Sequence, residues 1–310
     1  MIRLAVAIAS LVATGPILSS APILHAAGPV ERCPTLPDDQ LWVPGGTARF
    51  GSDSAYADEG PAYNATIRGF WIDRHEVTNA QYAAFVHATG HITRAEKDGG
   101  SAVFDPPGLL DRPTSPDQWW RYVKGANWRH PEGPGSGLRG RDRWPVVHIA
   151  YDDALAYAQW TGRSLPSEEQ FEYAARAGAT ESLDQPPPDA ANSWQGTFPI
   201  SNDGTDGHAR LAPIGCYKAN AYGLNDMIGN VWEWTGSWYQ PGHQPMRAGW
   251  GTPGNPSFDP SQPDARTRVI KGGSFLCAPN YCARYRPSAR HGQDETLGAS
   301  HLGFRTVSRG

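Results

Sequence analysis

The sequence has little of what several common classes of protein require. Its 27 basic and 31 acidic side chains give a net charge of -4, so no electrostatic field favours nucleic acid or an anionic membrane. Beyond residue 27, no apolar run approaches the ~20 residues that span a bilayer. No glycine pattern indicates a flavin or nicotinamide site, and no histidine pair with a carboxylate indicates non-haem iron. We therefore expect no nucleic-acid partner and no stable membrane insertion of the mature chain.

Cysteine is also scarce, with four in 310 residues. Cys277 and Cys282 lie close together in the sequence, whereas Cys33 and Cys216 each stand alone. The Cys-X-X-Cys spacing of disulfide-exchange proteins is absent. In an oxidising compartment, Cys33 and Cys216 are expected to form a structural disulfide that closes a very long loop.

Residues 1–27 have the composition of a cleaved secretory signal. One positive charge at Arg3 precedes an apolar run over residues 4–18, and small residues follow at Ala26 and Ala27. An uncleaved membrane anchor is the alternative, but the run is shorter than a membrane span and contains a Gly-Pro helix breaker. The segment predicts a secreted or periplasmic protein.

Residues 28–310 are rich in amino acids that interrupt regular structure. The chain has 35 Gly and 28 Pro beside 12 Trp, with a hydrophobic fraction of 39%. This composition is typical of a globular protein with many loops. Because no repeat or internal linker is visible, we predict one domain over residues 28–310. We also expect a monomer.

Local signals place several elements in this domain. Thr78 with Gln81, and Ser167 with Gln170, form capping boxes that begin helices. The glutamates at 168–169 are explained by the helix dipole rather than by paired catalytic carboxylates. The predicted helices cover residues 78–90, 151–161 and 167–178, strands are expected within residues 41–50, 65–72 and 144–149, and residues 98–120 are expected to form a surface loop.

Residues 272–286, Gly-Gly-Ser-Phe-Leu-Cys-Ala-Pro-Asn-Tyr-Cys-Ala-Arg-Tyr-Arg, concentrate functional groups. The thiols of Cys277 and Cys282 are soft ligands that suit Cu(I) or zinc, but a closed zinc site would need further Cys or His ligands at their own tight spacing. If a metal binds, a two-sulfur Cu(I) site therefore fits better than zinc. Spacing alone leaves a local disulfide, or two unrelated buried thiols, at least equally open.

Two other segments carry oxygen-bearing side chains interleaved with glycine, over residues 192–207 and 225–234. Calcium takes carboxylate and carbonyl oxygens at a tightly curved backbone, so such segments suit it. The first segment is not an EF-hand, because the twelfth residue from Asn202 is Pro213 rather than Glu. As a bare pattern, an ordinary Asx-turn remains its alternative.

The sequence around these residues resembles one known family. Residues 271–285, together with Gly303-Phe304-Arg305, resemble the active-site segment of the formylglycine-generating enzymes. The likeness continues in the family's order through residues 70–90, 123–133, 144–178 and 192–234, which covers most of the chain after residue 40. It implies a single loop-rich α+β domain with little regular secondary structure and a C-type-lectin-related fold. It also implies a copper-dependent oxidase that converts a sulfatase cysteine to C-alpha-formylglycine.

The resemblance also implies roles for individual residues. The catalytic residues would be Cys277, Cys282, Ser274 and Trp232, and the substrate-binding residues Tyr281 and Arg284. Cys277 and Cys282 would hold Cu(I), Cys282 could also exchange with the substrate thiol, and Arg286 would support the loop. Dioxygen would be the oxidant, and the substrate an extended Cys-X-Pro-X-Arg segment of an unfolded sulfatase. Hydrogen removal from the substrate's β-carbon would give a thioaldehyde, which hydrolyses with loss of sulfide.

For the oxygen-rich segments, the resemblance implies two structural calcium ions. The first would bind the side chains of Asn192 and Asp206 and the carbonyls of Ser193 and His208. The second would bind the carboxylates of Asp226 and Glu233 and the carbonyls of Gly229 and Val231. Residue 226 is Asp where family members often have Asn, and a carboxylate should bind calcium at least as well.

Three other functions stay open. One is a non-catalytic binding module on the same fold, with Cys277 and Cys282 as a structural disulfide, since fold does not fix function. The second is an oxidase of the sulfoxide-forming branch, for which a separate iron-binding helical domain is expected and none precedes residue 40. The third is a disulfide-handling protein, against which the absence of Cys-X-X-Cys argues.

Overall fold

A four-stranded sheet forms the centre of the fold and holds both ends of the segment with the paired thiols. Its strands, in spatial order, are β10 (Leu302–Gly303), β7 (Trp232–Trp238), β8 (Thr267–Lys271) and β9 (Arg290–Asp294). β8 pairs antiparallel with β7 and β9, whereas β10 runs parallel to β7. Residues 272–286, named the thiol loop below, follow β8 directly and lead towards β9.

The fold is given by a computed structural model, which describes residues 33–108, 115, 118–243 and 254–310. The predicted signal, residues 1–27, lies outside this part of the chain. Within the described ranges, no helix has the length and apolarity needed to cross a membrane.

Three smaller sheets surround the central one. The first has the order β1 (Gln40–Val43), β4 (Phe70–Asp73) and β11 (Val307–Arg309), all antiparallel. β2 (Gly46–Phe50) pairs with β3 (Tyr63–Ile67), and β5 (Gly100–Phe104) pairs with β6 (Trp120–Lys124). Short strands, many loops and one compact unit within residues 32–310 match the predicted loop-rich α+β domain.

In the described ranges, four α-helices complete the fold: α1 (Asn79–Thr89), α2 (Arg94–Asp98), α3 (Tyr151–Trp160) and α4 (Glu168–Arg176). Both predicted capping boxes are confirmed, because Thr78 and Ser167 each exchange hydrogen bonds with the residue three positions on. α1 ends at Gly90, whose φ of 68° is left-handed as expected of a C-terminal glycine.

Two local predictions are wrong. The expected loop over residues 98–120 contains β5, because the short run Ser-Ala-Val-Phe after Gly100 pairs across the sheet with β6. The expected strand over residues 144–149 forms only an isolated bridge at Pro145. Pro145 cannot donate to a ladder, and His148 has a φ of 62°, so no regular strand can run through this segment.

The main core lies between α1, α3 and the central sheet, and aromatic side chains fill it. Tyr82 of α1 is fully buried, with its ring centroid 5.2 Å from that of Trp128 and 6.3 Å from that of Phe304. Trp234 of β7 is also fully buried and donates its indole N–H to the carbonyl of Ile149. Rings of this size bury a large apolar area, so they hold together loops that lack regular structure.

Candidate active site

The thiol loop begins with two glycines that allow it to double back. Gly272 and Gly273 have φ of 91° and 77°, in the left-handed region. A Cβ on Gly273 would lie 2.7 Å from the carbonyl oxygen of Arg284, so the two arms of the loop pack backbone against backbone. This reversal brings Cys277 and Cys282 together.

The two thiols lie side by side without a bond between them. Their sulfur atoms are 3.4 Å apart, well beyond the ~2.05 Å of a disulfide, and both cysteines are free. Burial raises the pKa of Cys277, which is 1% exposed. The pKa of Cys282 is lowered, first by the hydrogen bond from the Cys277 thiol and also by the charge of Arg284. Cys282 is therefore the readier thiolate of the pair.

A cavity of about 480 Å³ opens beside these thiols. Every residue predicted to be catalytic or substrate-binding lines it: Trp232, Ser274, Cys277, Tyr281, Cys282 and Arg284. Its walls also include residues that sequence reasoning missed, among them Tyr56, Trp120, His291, Gln293 and His301. A concave site with a few convergent polar groups in an aromatic frame has the character of a ligand-binding pocket.

Ser274 and His301 form a polar pair in the cavity wall. The Ser274 Oγ lies 3.1 Å from His301 Nδ1 and accepts a hydrogen bond from the Leu276 N–H. Burial lowers the pKa of His301 to about 3, so its imidazole is neutral at ordinary pH. The His301 ring lies 4.8 Å from that of Trp120. The sequence offered one signal for a role of His301 in the site, because this residue lies two positions before the Gly303-Phe304-Arg305 segment that resembles the family.

An aromatic wall faces the outer arm of the thiol loop. The Tyr281 ring stacks on Phe198 at 4.2 Å between centroids and meets Trp119 edge-on at 5.8 Å. Phe198 and Trp119 are buried, whereas Tyr281 is 44% exposed. The exposed Tyr281 ring can therefore contact a bound peptide while its stacked neighbours keep it in place.

The arginines of the thiol loop are held by acidic residues from the turn before β3. Arg284 donates to both carboxylate oxygens of Asp58 at 3.1 Å, and its guanidinium lies 4.1 Å from the Tyr56 ring centroid. Arg286 pairs with the buried Glu59, which agrees with its predicted role in supporting the loop. Because Arg284 is already neutralised by Asp58, it forms part of the cavity wall rather than a free positive charge.

Further buried ion pairs lie beneath the thiol loop. Arg290 of β9 donates to both oxygens of Glu168 at 2.7 and 3.0 Å, and Lys271 lies 3.2 Å from Glu172. Burial alone would raise the pKa of Glu168, but Arg290 and other nearby cations hold it well below its usual range. The ion pair with Arg290 therefore stabilises the Glu168 carboxylate, in addition to its position in the first turn of α4.

The structure brings the first set of predicted calcium ligands together; we name Asn192, Ser193, Asp206 and His208 oxygen cluster 1. The backbone N–H groups of Ser193 and His208 each donate to the Asp206 carboxylate at 3.1 Å. The Asn192 Oδ1 is buried and has no partner. A buried oxygen without a partner, next in sequence to a backbone N–H that donates to the Asp206 carboxylate, fits a cation site.

The second predicted set, Asp226, Gly229, Val231 and Glu233, is named oxygen cluster 2. Asp226 Oδ2 accepts from the Gly215 N–H at 2.6 Å, while Oδ1 is buried without a partner. Burial raises the pKa of Asp226 to about 6. Both oxygens of Glu233 accept from Arg305 at 2.8 to 3.0 Å. Asp226 therefore offers a free oxygen, whereas Glu233 would share its carboxylate between a cation and Arg305.

Glu76 belongs to the same buried group, and sequence reasoning missed it. It is fully buried, its Oε2 has no partner, and its pKa is raised by burial and by the neighbouring charges of Asp226 and Glu233. Among the described residues of this group, three carboxylates thus share one arginine, Arg305. The local charge excess fits a divalent cation, and no spacing pattern in the sequence could have shown it.

Cys33 and Cys216 form the expected disulfide, which joins residues 183 positions apart. With His208 they are the one group of three His, Cys, Asp or Glu residues in the described ranges whose ligand atoms lie within 4.8 Å of each other. Because two of its members are bonded to each other, this group offers no closed metal site. Oxygen clusters 1 and 2 combine carboxylate oxygens with amide or backbone carbonyl oxygens, and no three of the carboxylates in the described ranges have ligand atoms within 4.8 Å of one another.

Several known proteins are similar to this chain in sequence. A family model described as a sulfatase-modifying factor enzyme 1-like domain matches residues 26–309. A formylglycine-generating enzyme of Mycobacterium tuberculosis is 43% identical over 297 residues, covering 86% of this chain and 96% of that protein. A Mus musculus protein named inactive C-alpha-formylglycine-generating enzyme 2 is 36% identical over 280 residues, covering 86% of this chain and 84% of that protein.

The fold itself is similar to a solved structure, that of PvdO from Pseudomonas aeruginosa. The TM-score is 0.60 at 24% identity, over 87% of this chain and 94% of that one. This likeness concerns architecture alone. It agrees with the predicted loop-rich α+β fold.

Proposed function

The chain belongs to the sulfatase-modifying factor enzyme 1-like family, and from this premise we propose that it oxidises a cysteine of sulfatases. The substrate would be the Cys-X-Pro-X-Arg segment of a sulfatase before that protein folds, and the product C-alpha-formylglycine. The observation that carries the proposal is the pair of free thiols, 3.4 Å apart, in the wall of the cavity of about 480 Å³.

Cu(I) is the cofactor that this pair fits best. Two sulfurs at this separation can reach one soft ion, and no other Cys or His of the described residues lies close enough to complete a three-ligand set with them. The open cavity leaves room for the substrate's own thiol as a further ligand. Copper would supply the reaction with dioxygen that no side chain in the cavity can perform.

The protein's own groups would prepare the site for metal and substrate. Metal binding needs thiolates, so the Cys277 proton must leave, and the lowered pKa of Cys282 favours its thiolate before that step. Cys282, the more exposed of the two, could also exchange with the substrate thiol. The buried environment of Cys277 keeps its sulfur away from other oxidants.

Ser274, Trp232 and Tyr281 would define where substrate and dioxygen lie. Either Ser274 Oγ or His301 Nδ1 can donate the hydrogen bond between them, because the hydroxyl and the neutral imidazole can each act as donor or acceptor. Trp232 is 3% exposed and closes the apolar side of the cavity. Tyr281, stacked on Phe198, would align the peptide at the entrance.

The electron balance identifies what else the reaction consumes. Converting the substrate's primary thiol and one water to an aldehyde and hydrogen sulfide releases two protons and two electrons, through a thioaldehyde that water hydrolyses. Reducing dioxygen to two waters takes four electrons, so two added thiols would supply the remaining two and become a disulfide. The net reaction would form one aldehyde, one hydrogen sulfide, one water and one disulfide from each dioxygen.

Two structural calcium ions would support this site. The unpartnered Asn192 Oδ1 and Asp226 Oδ1 favour a cation in oxygen clusters 1 and 2 respectively. The ions would take no part in the oxidation. They would fix the loops that pack against the thiol loop.

We infer a secreted or periplasmic monomer. The Cys33–Cys216 disulfide supports this location, because such bonds persist mainly in oxidising compartments. The substrate would then have to be exported while still unfolded.

The direct test is a turnover assay on a synthetic Cys-X-Pro-X-Arg peptide under air, with Cu(I) and a thiol reductant, scored by mass for the aldehyde. We expect copper-dependent conversion, which Cys277→Ala and Cys282→Ala should each reduce about 1000-fold or more, because the two sulfurs act as one unit. Cys33→Ser should retain activity and serves as the thiol control.

The inactive relative gives the assay its alternative outcome. No conversion, together with a Cys277–Cys282 disulfide that survives reductant and copper, would favour a binding module on the same fold. Conversion without copper would contradict the proposed cofactor but not the reaction.

A further inference from the structure

Asn230 lies between Asn192 of oxygen cluster 1 and Glu76, which is buried beside oxygen cluster 2, and its side chain contacts both residues. Its Nδ2 donates to Glu76 Oε1 at 3.1 Å, and its Oδ1 accepts from Asn192 Nδ2 at 3.0 Å. The Oδ1 also accepts from the Ala212 N–H at 2.9 Å. Since a carboxylate can only accept and a backbone N–H can only donate, these partners fix the orientation of the amide. Asn230 is 1% exposed.

The backbone of Asn230 makes two further connections. Its N–H donates to the carbonyl of Asn192 at 2.9 Å, and its carbonyl accepts from the N–H of Phe275, in the thiol loop, at 3.0 Å. Its neighbour Gly229 donates to the carbonyl of Gly272 at 2.9 Å. A Cβ on Gly229 would overlap the Asn192 carbonyl, so the segments of the two clusters touch directly.

Oxygen cluster 1 also reaches the thiol loop by its own route. Trp194, which follows Ser193, donates its backbone N–H to the carbonyl of Cys277 at 3.0 Å. One or two hydrogen bonds therefore connect each cluster to the thiol loop, which contains Cys277 and Cys282. Asn230 contacts Asn192 of cluster 1, Glu76 beside cluster 2 and Phe275 of the thiol loop.

We propose that Asn230 couples the two calcium sites to each other and to the thiol loop. The inference rests on the proposed calcium sites. A cation beside Asp226 and Glu76 would fix the position of the Glu76 carboxylate. That carboxylate accepts a hydrogen bond from the Asn230 amide and so fixes its orientation. The Asn230 amide in turn accepts from Asn192 and orients it towards the cation of cluster 1. An amide is required, because a carboxylate at this position cannot donate to Glu76 and an alkyl group can neither donate nor accept.

The buried carboxylate oxygens support a cation at the Glu76 end of this chain. Glu76 Oε2 and Asp226 Oδ1 are both buried without partners in the described structure. Glu76 lies outside the ligand set expected from the sequence, so it adds a third negative charge to the cation's surroundings. Its fixed position depends on the bond from Asn230.

A double-mutant cycle tests the coupling. Calcium is titrated by calorimetry into copper-free, chelator-treated protein, and the affinity of cluster 2 is compared with and without Asp206→Asn, which disables cluster 1. We expect Asp206→Asn to weaken calcium binding at cluster 2 about 5-fold or more, as is usual for coupled sites. In the Asn230→Ala background, this effect should disappear.

Asn255→Ala is the matched control, because Asn255 also orders a loop through backbone and hydroxyl bonds but contacts neither cluster. The coupling factor should be the same in this variant as in the parent protein. Equal effects of Asp206→Asn with and without Asn230→Ala would overturn the inference while leaving both calcium sites intact. Absence of calcium binding in the parent protein would overturn the sites and the inference together, whereas peptide turnover would still report on the oxidase.

A second measurement needs no change at Asn230, in case its variants do not fold. The rate of alkylation of Cys282 is followed at fixed pH while calcium is added to the parent protein and to Asp206→Asn. We expect calcium to change the rate at least about 5-fold, and Asp206→Asn to shift the calcium midpoint of that change. A rate independent of calcium would show that the clusters do not reach the thiol loop.

Discussion

Two groups of buried carboxylates in this structure are neutralised differently. Beneath the thiol loop, Glu168 pairs with Arg290 and Glu172 with Lys271. In the group of Glu76, Asp226 and Glu233, one arginine serves all three. Because an unpaired buried charge is costly, the first group is balanced by side chains of the protein, whereas the second would be balanced by a bound cation.

The two groups of carboxylates would therefore stabilise the loops of the active site in two different ways. The ion pairs under the thiol loop are built into the chain and respond to no small ligand. The carboxylates near Asn230 would depend on the calcium concentration. Measurements of the free energy of unfolding, with and without calcium, can distinguish these two ways of stabilising the fold.

The largest effect should come from breaking a built-in pair. Arg290→Met leaves Glu168 without its bidentate partner, and we expect a loss of about 3 kcal/mol or more in the free energy of unfolding. Denaturant unfolding measures it, and the difference between Arg290→Met and the parent protein should be the same in calcium and in chelator, because calcium stabilises both proteins equally. Arg94→Met, which breaks the exposed pair with Asp98, should cost less than about 1 kcal/mol. A difference that shrinks when calcium is added would contradict the distinction between the groups.

Calcium removal should have the next largest effect. Calcium at about 100 times its Kd stabilises the native state by about 2.7 kcal/mol per site. Thermal unfolding with chelator and with calcium should differ by a matching shift in Tm, and Asp226→Asn should reduce that shift. Asp98→Asn, an exposed carboxylate outside both clusters, should leave it unchanged. Equal Tm values with and without calcium would remove the main support for oxygen clusters 1 and 2.

The smallest effect is a pH dependence that calcium should abolish. In chelator, the pKa of Asp226 is raised by burial from 3.8 to about 6. The native state then binds this proton more tightly than the unfolded state, so stability falls as pH rises from about 4 to about 6. The slope is at most about 1.4 kcal/mol per pH unit for one proton.

Subtracting the curve of Asp226→Asn isolates this contribution from other titrating groups. With saturating calcium, the ionised carboxylate is favoured, and the falling slope should vanish. If the curves of the parent protein and of Asp226→Asn run parallel from pH 4 to 6 in chelator, the raised pKa is refuted.

Local sequence signals correctly predicted features that depend on contacts between residues close in the sequence. The capping boxes at Thr78 and Ser167 were predicted correctly, since each depends on residues three positions apart. The failed strand at residues 144–149 shows the limit of such reasoning. Its apolar run resembles a strand, but Pro145 and the left-handed His148 prevent a ladder.

The six predicted residues of the cavity wall were found through family resemblance and one short segment. Their partners were not, because they come from distant parts of the chain. Asp58 and Arg284 are 226 positions apart, and Glu76 and Asn230 are 154 apart. No periodicity or spacing rule connects such pairs, so the division between paired and unpaired carboxylates is visible only in the folded structure.

The last strands of the chain carry a consequence for its biosynthesis. β10 and β11 complete two sheets whose other strands were made much earlier, with β10 beside β7 and β11 beside β4. Between them, Arg305 pairs with Glu233 and binds the carbonyls of Asn225 and Asp226. A nascent chain stalled before residue 302 would lack all of these contacts. The native fold can therefore form only after residues 302–309 have been made, and a nascent chain that ends before them would depend on chaperones for longer than a protein with mainly local contacts.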